Sequence, residues 1–372
     1  MGFWSIVFLI GTAQASLLAV ALWRRPVNAG ANHVLAAWSA LIAIDLAVKA
    51  MYLDAPSPGL LKAYRFVGLF PFLYGSLFYI YVRVLTEARA FAWRDCLHLV
   101  GFVVVVFMHG PFFMQDRLQT EAMWRAGITQ PQLPRLDIAL YVYSLSYVIA
   151  GLVRVRRYRR ELLHHRSDAD RMSLHWIDAM ALSQIVIWCI ATTQWVVKIP
   201  WIDYLLIYGA VTAWVFMVGY LSLSQVAVII EAVPEPTSTD IHDAPGSEDP
   251  RFADVESRLS QLMETQQLYR EPALTIGQLA KRSGYPEYLV SAVINRRFDG
   301  NFWEYINRQR IEAARSCLAD PRGLRTILEI AYACGFTSKS TFNAAFKRLL
   351  GETPSAYRKA QVRDEASASA NT

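Results

Sequence analysis

Apolar positions in the first 230 residues do not alternate with polar ones; they come in long runs. Phe3–Leu22 is the first. Six more follow near Val34–Leu53, Phe66–Leu85, Leu97–Met114, Leu136–Val153, Leu174–Ile199 and Asp203–Ile230. A soluble helix keeps a polar stripe along its length, and these runs mostly lack one. At ~1.5 Å per residue, about 20 residues cross the ~30 Å hydrocarbon core of a bilayer. The pattern therefore predicts seven membrane-spanning helices. The charged Trp23-Arg24-Arg25 follows the first run, whereas a signal peptide carries its charge ahead of the apolar segment.

Beyond residue 251 the pattern changes to amphipathic helices. Phe252, Val255, Leu259 and Leu262 repeat at helical spacing over too short a run for a coiled coil, which predicts a packing helix. Thr326 with Glu329 forms a capping box, and Ile327, Ile330 and Ala331 give the helix it opens an apolar face. Gly335 suits a sharp turn. Ser338 then caps a second helix, with Phe342, Ala345, Phe346 and Leu349 on one side, and Gly351 ends it before Pro354. Thr275 to Tyr285 repeats Thr326 to Phe336 at a constant shift of 51 positions. Two helix-turn-helix units are expected. The second helix of the first unit should run from about Pro286 to Arg297, with Val290, Val293 and Ile294 inward. A long helix over Phe302–Leu318 should set the spacing between the units. The whole chain reads as all-α: a seven-helix transmembrane bundle followed by a soluble tandem helix-turn-helix domain.

Composition sharpens the division. Hydrophobic residues make up 54% of the 372 and charged residues 18%. Residues 251–363 nonetheless hold 18 Lys and Arg against 11 Asp and Glu, a balance that suits a polyanionic partner. Glu231–Pro250 carries four prolines and six carboxylates with no Lys or Arg, and reads as a solvated tether. The expected organisation is a transmembrane sensor or anchor over 1–230, an acidic linker over 231–251, a DNA-binding domain over 252–360 and a disordered tail over 361–372. Loops on the side of the first loop hold 12 Lys and Arg, and the opposite loops hold 6. Positive residues stay inside, so the N-terminus is expected outside a bacterial inner membrane, with the C-terminal domain in the cytoplasm. The four cysteines make no Cys-x-x-Cys pair and no His cluster has metal spacing, so neither structural zinc nor a disulfide framework is expected.

The run from Ile327 to Arg358 resembles the signature of the AraC-type transcription regulators. The matching residues are Ile330-Ala331, Gly335-Phe336, Ser338, Ser340, Phe342, Phe346-Lys347, Gly351, Thr353-Pro354 and Tyr357-Arg358. A looser resemblance, over Leu77 to Thr86 with Leu97-His98, links the first half to the membrane-bound members of that family. The family fold implies two recognition helices on one face of the duplex, in successive major grooves about 34 Å apart. Base contacts are expected from Lys339, Ser340, Thr341 and Asn343 in one unit and from Tyr288, Ser291 and Asn295 in the other. Arg296, Arg297, Lys347 and Arg348 are the candidates for phosphate contacts. Many family members carry Arg where Ala292 and Ala344 stand, so the operator does not follow from the resemblance.

Asp45 and Lys49 lie four apart within the second span and are the candidate sensing residues. With His109, Gln184, Gln194 and several tyrosines they read either as a small-ligand pocket or as interhelical glue with interfacial aromatics. No catalytic residue is expected. Gly75-Ser76 lacks the Gly-x-Ser-x-Gly frame of a serine nucleophile, and His98 and His109 fall on another span. The expected protein is a membrane-embedded one-component regulator without a cofactor. Its partners would be double-stranded DNA, membrane lipid and a small-molecule or protein signal, and a homodimer would match a two-fold operator. Two other readings fit the same residues. In one the membrane half is only a tether, with the signal supplied by a partner protein. In the other a membrane receptor or enzyme carries an autoregulatory C-terminal domain.

Overall fold

Every regular element among the described residues is helical, apart from one isolated bridge between Arg166 and Thr275. The computed structural model describes residues 2–87, 90–126, 134–169, 174–197, 204–223, 249–320 and 325–369. The chain forms two compact units, one of Met1–Arg156 with Leu174–Pro234 and one of Arg157–Ser173 with Glu235–Thr372.

The first unit holds α1 (Phe3–Arg24), α2 (Ala29–Asp54), α3 (Pro58–Val67) and α4 (Pro71–Thr86). A 3-10 turn (Trp93–Leu99) leads to α5 (Val100–Met108), α6 (Gly110–Phe113) and α7 (Arg117–Arg125). Then come α8 (Pro134–His165), α9 (His175–Val197) and α10 (Tyr204–Leu223). Among the described residues six stretches are long and apolar enough to cross a membrane: α1, α2, α3 with α4 taken together, and parts of α8, α9 and α10. The run expected as the fourth span, Leu97–Met114, is not one continuous helix. It is the end of the 3-10 turn, the nine-residue α5 and the four-residue α6. The break falls at His109–Gly110, just before Pro111, which has no N–H to give an α-helical ladder. Among the described residues the seven expected spans thus become six long apolar stretches, one of them divided between α3 and α4, and one interrupted segment.

The unit is apolar on its outside as well as in most of its interior, where Phe8, Leu35, Trp38 and Phe78 are buried. Phe3, Leu17, Val103 and Phe107 face outward, while Asp45, Lys49, Ser76, Ser144 and Gln184 are buried. α1 packs against α2 and α10, α2 against α3 and α4, and α9 against α10. Small residues let helices close up. At Gly75 an added Cβ would stand 2.9 Å from the carbonyl oxygen of Ser144 on α8.

The second unit holds α11 (Phe252–Thr265), α12 (Ile276–Ser283), α13 (Glu287–Arg297) and α14 (Phe302–Ala319). They are followed by α15 (Ile327–Ala333), α16 (Lys339–Leu350) and α17 (Pro354–Ser369). Phe252, Val255, Leu259 and Leu262 bury against Val290, Val293, Ile294 and Ile306 in one core. Of the expected linker, residues 231–248 lie outside the described ones. At the other end α17 runs to Ser369, where a structureless tail was expected. The Ala, Arg, Gln and Glu content of that stretch favours helix once Pro354 has started it. Arg157–Ser173 was expected in a loop of the first half. It belongs instead to the second unit, where Ser167, Asp168 and Ala169 are buried.

Candidate nucleic-acid interface

Both helix-turn-helix units start on the same device. The Thr275 hydroxyl accepts from the Gln278 N–H at 3.3 Å, and the Gln278 side chain accepts from the Thr275 N–H at 3.0 Å. Thr326 and Glu329 repeat this at 3.2 and 2.6 Å. Each first helix ends near a glycine with positive φ, Gly284 at 82° and Gly335 at 89°. Gly335 has a second reason to be glycine: a Cβ there would meet the carbonyls of Tyr269 and Arg270 at 2.7 Å. Ser338 then caps α16, accepting from the Thr341 N–H at 3.2 Å.

The buried side of α16 is Thr341, Phe342, Ala345 and Phe346. Its opposite side exposes Lys339, Ser340, Ala344, Lys347 and Arg348, with Asn343 half-buried at the edge. Thr341 therefore leaves the expected set of base-reading side chains. It is 7% exposed, and its hydroxyl donates to the Ser338 carbonyl at 2.8 Å, so it completes the cap. On α13, Tyr288 and Asn295 are exposed and Ser291 is half-buried. The Asn295 amide reaches the Ser291 hydroxyl at 3.5 Å, which puts both on one face with Tyr288 a turn away.

The expected phosphate-facing cations are not equivalent. Arg296 lies over the Phe252 ring at 5.6 Å, and Arg297 is 3.7 Å from the Glu256 carboxylate. Arg348 stacks over Trp303 at 4.4 Å and stands 3.9 Å from Glu304. These arginines are partly held by α11 and α14, which fixes their position near the edge of each recognition helix. Lys347 is exposed in the last turn of α16.

One cluster escaped the sequence reading. Arg310 on α14 is 1% exposed. It donates to the carbonyls of Tyr269 at 2.6 Å and Glu271 at 2.7 Å, and to the Ser167 hydroxyl at 3.2 Å. Its guanidinium also lies over the Phe336 ring at 5.4 Å, in the turn of the second helix-turn-helix. Asn307, one turn earlier, donates to the Ser167 carbonyl at 2.8 Å, and the Ser167 N–H donates to the Leu274 carbonyl at 3.1 Å. Burial pulls the guanidinium down to about 10, against the opposing pull of the Asp168 charge. Arg310 thus joins Ser167, the segment before α12, and the turn before α16. Ser167 and Arg310 lie 143 positions apart, and no periodicity along the chain links them.

The candidate sensing residues sit deep in the first unit. Asp45 and Lys49 are buried and paired with each other. The Tyr74 hydroxyl donates to Asp45 at 3.0 Å, and the Lys49 ammonium lies 3.8 Å from the centroid of the Tyr208 ring.

Residues 279–360 match the model of a helix-turn-helix domain family. The regulatory protein SoxS of Salmonella typhimurium is 33% identical over 85 residues, which are 23% of this chain and 78% of that protein. PqrA of Proteus vulgaris is 32% identical over 97 residues, 26% of this chain and 76% of that one. A protein of Streptomyces lividans described as an AraC-like transcription regulator is 35% identical over 94 residues, 25% of this chain. The match spans 30% of the length of that last relative. No solved structure matches the chain.

Proposed function

Because the chain belongs to the AraC-type family of helix-turn-helix transcription regulators, we propose that it works from within the bacterial inner membrane and that its membrane part modulates DNA binding. DNA binding and transcription regulation follow from the family, which also separates the chain from enzymes. The finer reading puts the N-terminus outside, the second unit in the cytoplasm, and the exposed faces of α13 and α16 in successive major grooves. Lys339, Ser340, Asn343, Tyr288, Ser291 and Asn295 read bases in this scheme, and Lys347 with Arg296, Arg297 and Arg348 contacts phosphates. A second copy of the chain would occupy the other half of a two-fold operator.

One observation carries the modulation. Arg157–Ser173 follows directly on the apolar part of α8, yet it belongs to the unit that holds both helix-turn-helix motifs. Through Arg310 its Ser167 meets the backbone before α12 and the turn before α16. A shift of this segment would change the support under both recognition helices at once. The excess of Arg on the predicted cytoplasmic loops and six apolar helices of spanning length support the membrane placement.

Two measurements test the reading. A green fluorescent protein fused at the C-terminus should fluoresce in membrane-bound form, whereas a periplasmic reporter active at the same position rejects the orientation. Genome-wide occupancy of the tagged protein should give discrete sites, and Ser167→Leu should alter that occupancy while leaving membrane insertion intact. Occupancy unchanged by Ser167→Leu rejects modulation through this segment.

A further inference from the structure

A cavity of ≈ 450 Å³ lies within the first unit, between α2, α4, α8, α9 and α10. Its walls include Trp38, Tyr74, Tyr208 and Trp214, and Gln184 and Gln194 also line it. This size is in the range of small-molecule sites. Unpaired polar atoms on the residues that line it are what distinguish it from a packing defect. Among the described residues the Gln184 carboxamide has no hydrogen-bond partner for either its Nε2 or its Oε1. The Oε1 of Gln194 and the indole N–H groups of Trp38 and Trp214 are also without one. Gln184 is 5% exposed, Trp38 1% and Trp214 5%, so solvent at the outer surface does not satisfy them. Buried polar groups are almost always paired, so five unpaired atoms on the residues lining one cavity call for an occupant.

We propose that this cavity binds an uncharged, planar aromatic molecule that presents a donor and an acceptor side by side, as a cyclic amide does. The aromatic walls accept the face of a ring. The Gln184 carboxamide donates through Nε2 and accepts at Oε1, which matches an amide edge with two parallel hydrogen bonds. The two indole N–H groups call for further acceptors on the ligand rim. Among the described residues no charged side chain lines the cavity, so a charged ligand would meet no counter-ion from them. The nearby Asp45 and Lys49 instead neutralise each other behind the wall, touching the two lining tyrosines, Tyr74 and Tyr208. An occupant that moves either tyrosine acts directly on that ion pair, which gives Asp45 and Lys49 a part in sensing without ligand contact. This inference rests on the reading of the chain as a modulated membrane regulator and supplies the class of signal.

The test uses the full chain in lipid nanodiscs, with 2-quinolone as the probe and N-methyl-2-quinolone, which lacks the N–H donor, as its control. Quenching of tryptophan fluorescence by 2-quinolone should saturate, and the methylated control should bind at least tenfold more weakly. Gln184→Leu should remove the difference between the two, and Gln184→Asn, which keeps a carboxamide, should retain part of it. Absence of saturation, or equal binding of the two compounds to the native chain, overturns the proposal without need of any variant. DNA binding is measured on the same nanodiscs. Retained DNA binding with no probe binding overturns the cavity alone, whereas loss of DNA binding by the native chain overturns the regulator reading beneath it.

Discussion

Asn343 and Lys347 stand one turn apart on α16 and differ in burial. Asn343 is half-buried, with less rotamer freedom to lose on binding, and its carboxamide suits a bidentate contact to adenine. Asn343→Ala is expected to cost about 1–3 kcal/mol at one operator position and relax sequence choice there, as read by competition between operator variants. Lys347 is exposed at the helix end. Lys347→Ala should weaken binding evenly across sequences and reduce the slope of log affinity against log salt by about 1. Cys334 supplies a pH test. Burial, with Cys317 nearby, pushes its thiol from an ordinary 9.0 up to about 11. A raised folded value means the stabilisation is whole below the ordinary value and is lost as pH rises through the folded one. The second unit should therefore lose stability in thermal melts between about pH 9 and about 11, and Cys334→Ala should flatten that loss. At neutral pH the half-buried Cys317 should be alkylated before the buried Cys334.

At the scale of elements, the turns of the two helix-turn-helix units were open to reading because their signals are local. A capping box, a glycine and an aromatic lie within one short stretch, and the backbone obeys each of them at both positions. Gly335→Ala tests the second turn, since it adds both a left-handed backbone penalty and a collision with the carbonyls of Tyr269 and Arg270. It should destabilise the second unit by roughly 1–3 kcal/mol or more, visible as a lower melting temperature and earlier proteolysis within it. Gly284→Ala, with the same sign of φ but open space around the Cβ, should cost less. The face of α16 was legible for the same reason, except at Thr341, where a hydroxyl that sequence assigns to DNA serves the N-cap instead. The run expected as the fourth span proved interrupted because hydropathy counts residues and ignores the effect of Gly110-Pro111 on the helix ladder. In the first unit, Gly75→Leu should block the close approach of α4 and α8 and reduce folded protein in membranes, as measured by detergent-extracted fluorescence.

For the whole molecule, the division into a greasy first part and a basic second part could be read from charge and hydropathy alone. The return of Arg157–Ser173 to the second unit could not, because nothing local marks Ser167 as the partner of an arginine 143 positions later. Of the cavity, only the polar residues Gln184 and Gln194 and several tyrosines stood out along the chain; its walls come from five helices that no short-range pattern relates. A fragment of residues 251–372 is expected to melt lower than the same fragment joined to residues 157–173, because Asn307 and Arg310 lose the Ser167 contacts that cover them. That expectation bears on how such a protein comes to be made and retired. The ribosome has long finished residues 157–173 when the last helices emerge, so the domain closes on a piece of itself made well before the rest. A protease cutting between residues 223 and 249 would free only an incomplete domain, and the soluble remnant would leave its keystone behind. Such a chain is suited to answering whole, and not to shedding its second unit as a messenger.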